Sequence, residues 1–291
     1  LGCFGRAPGS SGSDRRNTVK SLPFRYNFVR RTRHHWLDQH DFSTQMHPTG
    51  FHRPAMILYA ELRQPEEILM KRSAVNSILT EGDAFIRSFG FVLPPFAYWS
   101  AEKMRAASGT DIHARGLGWD ITDYGEGRFD EMGLFLFTTR NGRVEQLNNG
   151  KGMLYAEKIM ITRDRQLSPM HRHNVKAEDI INRGGGDLVI ELFAPDADGG
   201  IDRTSDITVP SDGMPVTLSA GGHLRLKPGE SVTLMPGIWH AFWAEGGDCL
   251  VGEVSTVNDD RTDNVFEQPI GRFSRIEEDE APMYLLVSDY D

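Results

Sequence analysis

The chain has 291 residues with 39% hydrophobic and 10% aromatic side chains, which is typical of one large globular domain or two small ones. Its formal charge of −9 is unevenly divided. Residues 1–69 hold ten basic and six acidic side chains, and the remaining residues hold 22 basic and 35 acidic ones. The acidic excess after residue 69 argues against nucleic-acid binding. The two cysteines cannot form a disulfide framework and no apolar run is long enough to span a membrane, so we expect a cytoplasmic protein.

Residues 1–69 differ from the rest of the chain in composition and regularity. They are rich in Gly, Ser and Arg, a composition that buries little apolar surface, and they show no sustained helical or strand period. Met70 opens a regular segment, and Glu66 and Glu67 lie where a purine-rich ribosome-binding sequence would be encoded. We therefore expect a natural start at Met70, with residues 1–69 a disordered extension or translated leader and residues 70–291 a single domain.

Two helices are predicted directly after Met70. Apolar side chains recur at mostly helical spacing between Lys71 and Gly90, and a glycine at that position is a typical helix stop. After an extended Pro-containing segment, Ser100 is a suitable N-cap for a short helix through Ala101–Lys103. The helical signal is lost after GLGWDITDYGEG, which covers residues 116–127.

Short apolar or alternating runs follow, separated by clusters of Gly, Pro, Asp and Asn. Many short strands at near-regular spacing indicate an all-β sandwich or barrel, and we expect the helices to form an N-terminal cover on it. The predicted strands are GLFLFTTR, LYAEKIMIT, LVIELFAP, ITVP, HLRLKPG, SVTLMPG, HAFWAE, CLVGEVST and MYLLVS.

A pattern of metal ligands stands in HRHNVKAEDIINRGGG, which begins at His171. In a strand, His171 and His173 point to the same face with Cα atoms roughly 6–7 Å apart, which lets both imidazoles bind one ion. Glu178 can supply a third ligand if the chain curls back after His173. The glycines that end the stretch, residues 184–186, lack the Lys-Ser/Thr of a phosphate-binding loop, and we interpret them as a tight turn between strands.

His240 is the fourth candidate ligand. It follows the turn dipeptide Pro236-Gly237 and opens another predicted strand, which can return it to the same interior. Nitrogen and oxygen ligands without a thiolate suit Mn²⁺, Fe²⁺, Co²⁺, Ni²⁺ or Zn²⁺. His113 and His223 lack such partners, and we interpret them as surface or internally satisfied side chains.

These two stretches resemble the paired motifs of the cupin superfamily, which implies a β-barrel of the jelly-roll type. The second motif departs from the usual pattern, because PGIWH joins its Pro and Gly and Trp243-Ala244 stands where Asn is usual. The first motif lacks its leading Gly and otherwise matches at His171, His173, Glu178 and Gly185.

The chain from Met70 to its C-terminus resembles the D-lyxose isomerase family more specifically. The resemblance implies metal-dependent interconversion of D-lyxose and D-xylulose, with D-mannose and D-fructose as slower substrates, a bound Mn²⁺ and a homodimer. It rests on MKRSAVNSILTEGDAFIRSFGFVLPPFAYWS, GLGWDITDYGEGRF, YAEKIMI, HRHNVKAEDIINRGGG, EVSTVNDDRTDN and PIGRFSRIEEDEAP.

Aldose–ketose isomerisation moves hydrogen between C1 and C2, so it needs a base near that carbon and positive groups near the sugar oxygens. Glu253 is predicted as the base and Lys158 as a contact to a sugar oxygen, because each shares a strand face with apolar residues. Lys176 and Asp263 are predicted in the substrate site, Lys176 by ordering the metal ligands and Asp263 by binding sugar hydroxyls. The alternatives are a solvated Lys158, an exposed Glu253 and a plain surface loop around Asp263.

Three other functions remain open from the sequence. A cupin sugar-phosphate isomerase would need clustered basic groups for the phosphate, whereas the candidates here are mainly acidic. An Fe²⁺-dependent cupin dioxygenase can use three histidines and an acid, and oxygen consumption would distinguish it. A non-enzymatic sugar sensor would bind pentose without turnover. The choice between an enediol and a hydride-shift route is also open.

Overall fold

A computed structural model describes residues 69–290, so the predicted extension lies outside the described residues apart from Leu69. The helices are α1 (Arg72–Ser88), α2 (Ala101–Ala106), α3 (Asp111–Ala114) and α4 (Val144–Asn149), with 3₁₀ turns at Pro95–Tyr98 and Val287–Asp289. The strands are β1 (Met70–Lys71), β2 (Gly118–Thr122), β3 (Leu134–Arg140), β4 (Tyr155–Thr162), β5 (Ser168–His173), β6 (Glu178–Pro195), β7 (Ile201–Asp202), β8 (Ile207–Ser211), β9 (Met214–Leu218), β10 (Gly222–Leu226), β11 (Ser231–Leu234), β12 (Trp239–Thr256), β13 (Asn264–Phe266) and β14 (Ile276–Glu277).

Both predicted N-terminal helices are confirmed. Gly90 follows α1 with a φ of 72°, a left-handed value that glycine adopts without strain. Ser100 caps α2, since its side-chain oxygen accepts a hydrogen bond from the backbone N–H of Lys103. Helices α3 and α4 escape prediction because 4 and 6 residues are too few for an apolar period to emerge.

The sheet is antiparallel and is built around two long strands. β6 and β12 have 18 residues each and pair with one another along most of their length. The first half of β12 lies between β5 and β6, and its second half lies between β4 and β6. The main order is β2-β3-β4-β12-β6-β11-β8-β9. The predicted all-β architecture is confirmed, although the sheet has two ends, β2 and β9, and does not close into a barrel.

Both long strands bend where their glycines face each other. The register between β6 and β12 shifts between Glu245 and Cys249, opposite the glycines of β6. A Cβ on Gly185 would lie 2.1 Å from the carbonyl oxygen of Asp248, so only glycine lets the two backbones approach this closely. The interpretation of residues 184–186 as a tight turn between strands is therefore wrong, because they form a bend inside β6.

Two predictions about individual strands are also corrected. HAFWAE and CLVGEVST form a single strand, β12, because pairing with β6 resumes after the register shift between Glu245 and Cys249. The predicted strand MYLLVS is absent among the described strands. Among the described residues its pairing with a strand is limited to one bridge, between Leu286 and Trp119 of β2. The backbone N–H groups of Met283 and Leu286 donate to the side chains of Asn76 and Asp289.

Helix α1 covers one face of β3 and β4, as predicted for the N-terminal cover. Val75 and Leu79 of the helix are buried in one apolar cluster with Phe135 of β3 and Ile159 and Ile161 of β4. Side chains alternate between the faces of a strand, so the remaining positions of β3 and β4 point to the opposite side. None of the helices among residues 69–290 has the length and apolar character needed to cross a membrane.

Candidate active site

A cavity lies between the bent halves of β6 and β12. It encloses about 440 Å³ of space between the side chains, including the part open to solvent. One part of its wall is apolar and contains Leu134, Leu136, Met160, Ile180, Phe242 and Phe266. The other part is charged or metal-ligating and contains Lys158, His171, His173, Lys176, Glu178, His240, Glu253, Asp260 and Arg272.

The bend in β12 is what brings distant ends of that strand to one cavity. His240 lies near the start of β12 and Glu253 near its end. Along a straight strand these residues would be roughly 43 Å apart, at about 3.3 Å per residue. Both side chains nevertheless line the same cavity, because the two halves of β12 fold toward each other at the glycine bend.

Three histidines converge from two neighbouring strands. Their candidate ligand atoms, on His171, His173 and His240, lie within 4.8 Å of one another. The Nδ1 atom of His171 lies 2.8 Å from the carbonyl oxygen of Pro169, and that of His240 lies 3.1 Å from the carbonyl oxygen of Ile238. A neutral imidazole that donates from Nδ1 presents the lone pair of Nε2 to a metal, so both rings are oriented as ligands.

Glu178 completes the set with a carboxylate oxygen. Its Oε1 atom lies 3.3 Å from Nε2 of His173 and 3.2 Å from Nε2 of His240. Two atoms bound at right angles, each about 2.1 Å from one cation, are about 3.0 Å apart. Both ring nitrogens of His173 and Oε1 of Glu178 are buried without a hydrogen-bond partner among the described residues. Converging unpaired atoms of this kind are costly without a cation, so the ligand set fits a divalent metal.

Burial and neighbouring charges favour the protonation states that metal binding requires. Burial lowers the pKa of His171 well below its ordinary value, and burial together with Lys176 also lowers the pKa of His173. Burial alone would raise the pKa of Glu178, but Lys176 and His173 outweigh it and hold that pKa well below its ordinary value. Near neutral pH the two imidazoles are therefore uncharged and Glu178 is a carboxylate.

Lys176 links the metal ligands to the predicted base. Its Nζ atom lies 2.7 Å from Oε2 of Glu178 and 3.0 Å from Oε1 of Glu253. Burial alone would lower the pKa of Lys176, but these two carboxylates raise it, so the side chain is an ammonium ion. Ser255 also donates to Oε1 of Glu253, at 3.2 Å. Among the described residues both hydrogen bonds to Glu253 end on Oε1, which leaves Oε2 for a substrate.

Lys158 lies directly opposite Glu253, in the register of β4 with β12. Its Nζ atom is 2.8 Å from Oδ1 of Asn258, 3.3 Å from Oδ1 of Asp260 and 3.6 Å from Oε1 of Glu253. Lys158 and Glu253 are only 3% and 4% exposed. The structure therefore places both side chains inside the cavity, where the sequence analysis also allowed a solvated Lys158 and an exposed Glu253.

Asp263 lies beside the cavity and not among the residues of its wall. Its two carboxylate oxygens accept hydrogen bonds from the backbone N–H groups of Val175 and Lys176, at 2.8 and 2.9 Å. Asp263 thus holds the loop that separates His173 from Glu178. These contacts favour a positioning role over the predicted contact with sugar hydroxyls.

His113 and His223 both lie outside the cavity wall. Nε2 of His113 lies 2.9 Å from the carbonyl oxygen of Met104, and its ring stacks on Tyr290. The ring of His223 packs edge-on against Trp243. Both contacts agree with the interpretation of these histidines as satisfied side chains without a metal.

Several residues of the cavity wall were not predicted as site residues from the sequence. Arg272 stands in a short loop segment, and Asp260 in an acidic stretch of a kind that is common in surface loops. Tyr124 has a φ of 58°, a value that a bulky residue rarely adopts, and its hydroxyl lies 3.0 Å from that of Ser168. Burial raises the pKa of Tyr124 to about 12, so this hydroxyl keeps its proton. Only long-range contacts reveal these residues.

Seven charged side chains form a chain of contacts of alternating sign, which we call the charged row. Neighbours in the row approach between 2.7 and 3.6 Å at their charged atoms, and the row begins at the metal ligand Glu178. Each buried charge inside the row has an opposite charge on either side, which offsets the cost of burial. The row runs through Glu178, Lys176, Glu253, Lys158, Asp260, Arg272 and Asp120.

Comparison with known sequences assigns a family to most of the chain. Residues 70–290 match the sequence model of a family described as D-lyxose isomerase. A "D-lyxose/D-mannose isomerase" of Serratia proteamaculans is 49% identical over 226 residues, covering 76% of this chain and 98% of that protein. A protein of the same name from Escherichia coli O157:H7 is 47% identical over 228 residues, with the same coverage.

Comparison with solved structures concerns the fold alone. A mutant of L-ribose isomerase from Acinetobacter sp. DL28, in complex with L-ribose, superposes with a TM-score of 0.50 at 14% sequence identity. The superposition covers 72% of this chain and 99% of that protein. The described β fold is thus similar to that of another sugar isomerase.

Proposed function

The chain belongs to the D-lyxose isomerase family and is an aldose–ketose isomerase, and we propose that its reaction is the metal-dependent interconversion of D-lyxose and D-xylulose. We further propose slower interconversion of D-mannose and D-fructose, whose reacting carbons carry the same groups. A homodimer and a cytoplasmic location remain predictions, and light scattering of the purified protein tests the first.

One observation carries the proposal. The four candidate metal ligands and Glu253 line one cavity. Lys176 contacts the carboxylate of the ligand Glu178 and the carboxylate of Glu253. A sugar bound with its first two oxygens at the ligand cluster would therefore bring C1 and C2 toward Glu253. Isomerisation needs this juxtaposition of a base with a site that stabilises charge on adjacent oxygens.

Glu253 is the proposed base. Its Oε2 atom takes the proton from C2 of the aldose, the C–H electron pair forms the C1–C2 double bond, and the electron pair of the C1=O bond moves to O1. The proton of the C2 hydroxyl passes to O1, Glu253 returns its proton to C1, and the C2=O bond of the ketose forms. The carboxylate is regenerated, so atoms and charge balance over the cycle.

Lys176 and Lys158 stabilise the negative charge that develops during these transfers. Both side chains are 3% exposed, so their charges act in a site where water screens little. They also fix the position of Glu253, since their Nζ atoms lie 3.0 and 3.6 Å from its Oε1. Together they orient Oε2 toward the substrate.

His171, His173, Glu178 and His240 would hold the metal. A divalent cation supplies Lewis-acid polarisation of the carbonyl and of the neighbouring hydroxyl. Mn²⁺ is the proposed ion because the family resemblance implies it, and the nitrogen and oxygen ligands also suit Co²⁺, Fe²⁺, Ni²⁺ and Zn²⁺.

NMR of D-lyxose in deuterated water tests the reaction and its route together. The purified full chain is measured as isolated, after chelation and dialysis, and after Mn²⁺ is restored. We expect D-xylulose in the first and third samples only. Deuterium at C1 of the ketose supports proton transfer through an enediol, whereas complete retention of protium would favour a hydride shift.

The same samples discriminate the other functions. Undiminished turnover after complete metal removal would refute the metal dependence, and no turnover with any restored divalent ion would refute the lyxose reaction. Oxygen consumption would favour a dioxygenase. Within the described cavity wall, Lys158, Lys176 and Arg272 each contact a carboxylate, which weighs against a sugar-phosphate substrate.

A further inference from the structure

We propose that Arg272 binds a hydroxyl group on C4 or C5 of the sugar and so contributes to substrate selection. This inference rests on the proposed function, which places C1 and C2 at the metal ligands and Glu253. It gives the end of the sugar that is opposite C1 a binding residue, Arg272. Arg272 has an unpaired donor, a place in the charged row and a segment that is held by hydrogen bonds.

A comparison of two buried arginines shows that Arg272 has unused donor capacity. Arg72 is 1% exposed, and its Nε, Nη1 and Nη2 atoms all donate to Glu278 or Asp289. The side chain of Arg272 is 11% exposed, and Nη2 contacts Asp120 at 2.8 Å and Asp260 at 3.2 Å. Its Nη1 atom is buried without a hydrogen-bond partner among the described residues.

An unpaired buried guanidinium nitrogen needs an acceptor. A guanidinium has donors and no acceptor, and burying one donor without a hydrogen bond costs free energy. Arg72 shows that this fold can satisfy a buried arginine fully with carboxylates when the side chain has a structural role. Arg272 lines the cavity instead, and a sugar hydroxyl oxygen is an acceptor of the right kind there.

Arg272 is separated from the metal ligand Glu178 by four other side chains of the charged row, Lys176, Glu253, Lys158 and Asp260. It also belongs to the half-buried part of the cavity wall, whereas the metal ligands and Glu253 are buried. The half-buried wall residues are Asp260, Asn264, Phe266 and Arg272.

An open-chain pentose can therefore lie along the row. With C1 and C2 at the buried end, the hydroxyls on C4 and C5 point toward the half-buried end where Arg272 stands. Hydroxyls that do not react can still distinguish one aldose from another, because a buried donor left unpaired by the wrong substrate is costly. Arg272 is thus a specificity-determining residue.

The segment that carries Arg272 is held in advance of binding. The backbone N–H of Gly271 donates to the carbonyl oxygen of Tyr124 at 3.2 Å. The hydroxyl of Ser274 donates to Asp123, whose own backbone N–H donates back to that hydroxyl. These contacts fasten residues 271–274 to the strained turn at Tyr124, on both sides of Arg272. Such preorganisation reduces the entropy lost when a substrate binds.

The test combines enzyme variants with substrates that lack one hydroxyl. Wild type, Arg272→Met and Arg272→Lys are each assayed for kcat/KM with D-lyxose, 4-deoxy-D-lyxose and 5-deoxy-D-lyxose. Arg225→Met is the matched control, since Arg225 also contacts two carboxylates, Asp187 and Glu245, but lies outside the cavity wall. Thermal unfolding and metal content are measured for every variant.

Removal of the hydroxyl that Arg272 binds should lower kcat/KM of wild type about 10- to 100-fold, as expected for a hydrogen bond to a charged group. In Arg272→Met that loss should disappear, while D-lyxose itself is turned over about 10- to 100-fold less well. Arg272→Lys should retain part of the discrimination, and Arg225→Met should match wild type. Comparing the same sugar between enzymes cancels differences in its ring forms.

The outcomes separate this inference from the proposed function. Equal losses for both deoxy sugars in wild type and Arg272→Met would show that Arg272 contacts neither hydroxyl and would overturn the inference alone. Absence of D-lyxose turnover by metal-loaded wild type would overturn the proposed function and the inference with it. If Arg272→Met does not fold, Arg272→Lys provides the same comparison with the positive charge retained.

Discussion

The two faces of the β3–β4 pair have different surroundings. On one face, Phe135, Phe137, Ile159 and Ile161 pack with α1 in an apolar cluster. On the other face, β4 contributes Lys158 to the charged row beside the metal ligands. Neighbouring residues of one strand therefore face either a dry core or a charged cavity. The comparison teaches that strand alternation places Lys158 on the face opposite α1, where it lies beside apolar wall residues such as Met160.

The largest expected effect comes from removing a metal ligand on the cavity face. His173→Ala removes a ligand whose two ring nitrogens have no other partner among the described residues, so we expect loss of the metal. Loss of Lewis-acid stabilisation worth several kcal/mol should lower kcat/KM for D-lyxose at least ~10³-fold. Metal analysis and the NMR assay measure both effects.

His223→Ala is the matched control for that ligand, because His223 packs against Trp243 away from the cavity. The control should keep its metal and its activity. Normal metal content in His173→Ala would contradict the assignment of this ligand.

The second prediction concerns the base on the same cavity face. Glu253→Gln preserves size but removes the group that accepts the proton, so turnover should fall about 10²- to 10⁴-fold while the metal stays bound. Glu245→Gln, on the same strand but ion-paired with Arg225 at the surface, should retain activity. Wild-type turnover in Glu253→Gln would remove Glu253 from the mechanism.

The third prediction acts on the dry face. A Cβ on Gly82 of α1 would lie 2.5 Å from the ring of Phe135, which is 2% exposed and packs against Trp119. Overpacking of this kind costs about 1–3 kcal/mol. Ala is the better helix former by about 1 kcal/mol, which opposes that cost. We expect Gly82→Ala to destabilise the protein by up to about 2 kcal/mol in urea unfolding.

Ala84→Gly measures the contribution of helix propensity to the free energy of unfolding, because Ala84 is an exposed residue of the same helix. It should destabilise by about 0.5–1 kcal/mol through propensity alone. Activity per folded molecule should stay unchanged in both variants, since neither position lines the cavity. A Gly82→Ala variant more stable than wild type would mean that Phe135 can move aside.

The smallest expected effect depends on pH at the start of α1. The backbone N–H and hydroxyl of Ser73 donate to Asp279, and these hydrogen bonds lower the pKa of its carboxyl. A folded-state pKa below the unfolded value adds stability above the unfolded pKa, and this stability is lost as pH falls through the folded pKa. Wild type should therefore lose more thermal stability between pH 6 and pH 3 than Asp279→Asn, and parallel curves would contradict this role.

Local pattern was sufficient for much of the fold. The apolar spacing after Lys71 and the cap at Ser100 predicted α1 and α2, because both signals act within a few residues. The alternating runs predicted most strands for the same reason. MYLLVS failed as a strand because side chains such as Asn76 of α1 bind its backbone, and among the described residues its strand pairing is limited to one bridge, between Leu286 and Trp119.

Spacing also predicted the candidate metal ligands. His171 and His173 share a strand face by alternation, and the turn before His240 suggested its return to the same interior. Lys158 and Glu253 were singled out as charges among apolar neighbours, and the structure places both inside the cavity. Asp263 was predicted from composition alone, and its contacts are to the backbone.

What the sequence by itself determined, then, is the alternation of faces, the two helices and the local ligand pattern, since these depend on neighbours within one element. Only the tertiary structure decided that the glycines of β6 bend two paired strands and bring His240 and Glu253 to one cavity. It also decided that Arg272 meets Asp120 from β2 at the end of the charged row. These contacts join residues far apart in the chain, and their geometry is set by how whole strands bend and pair.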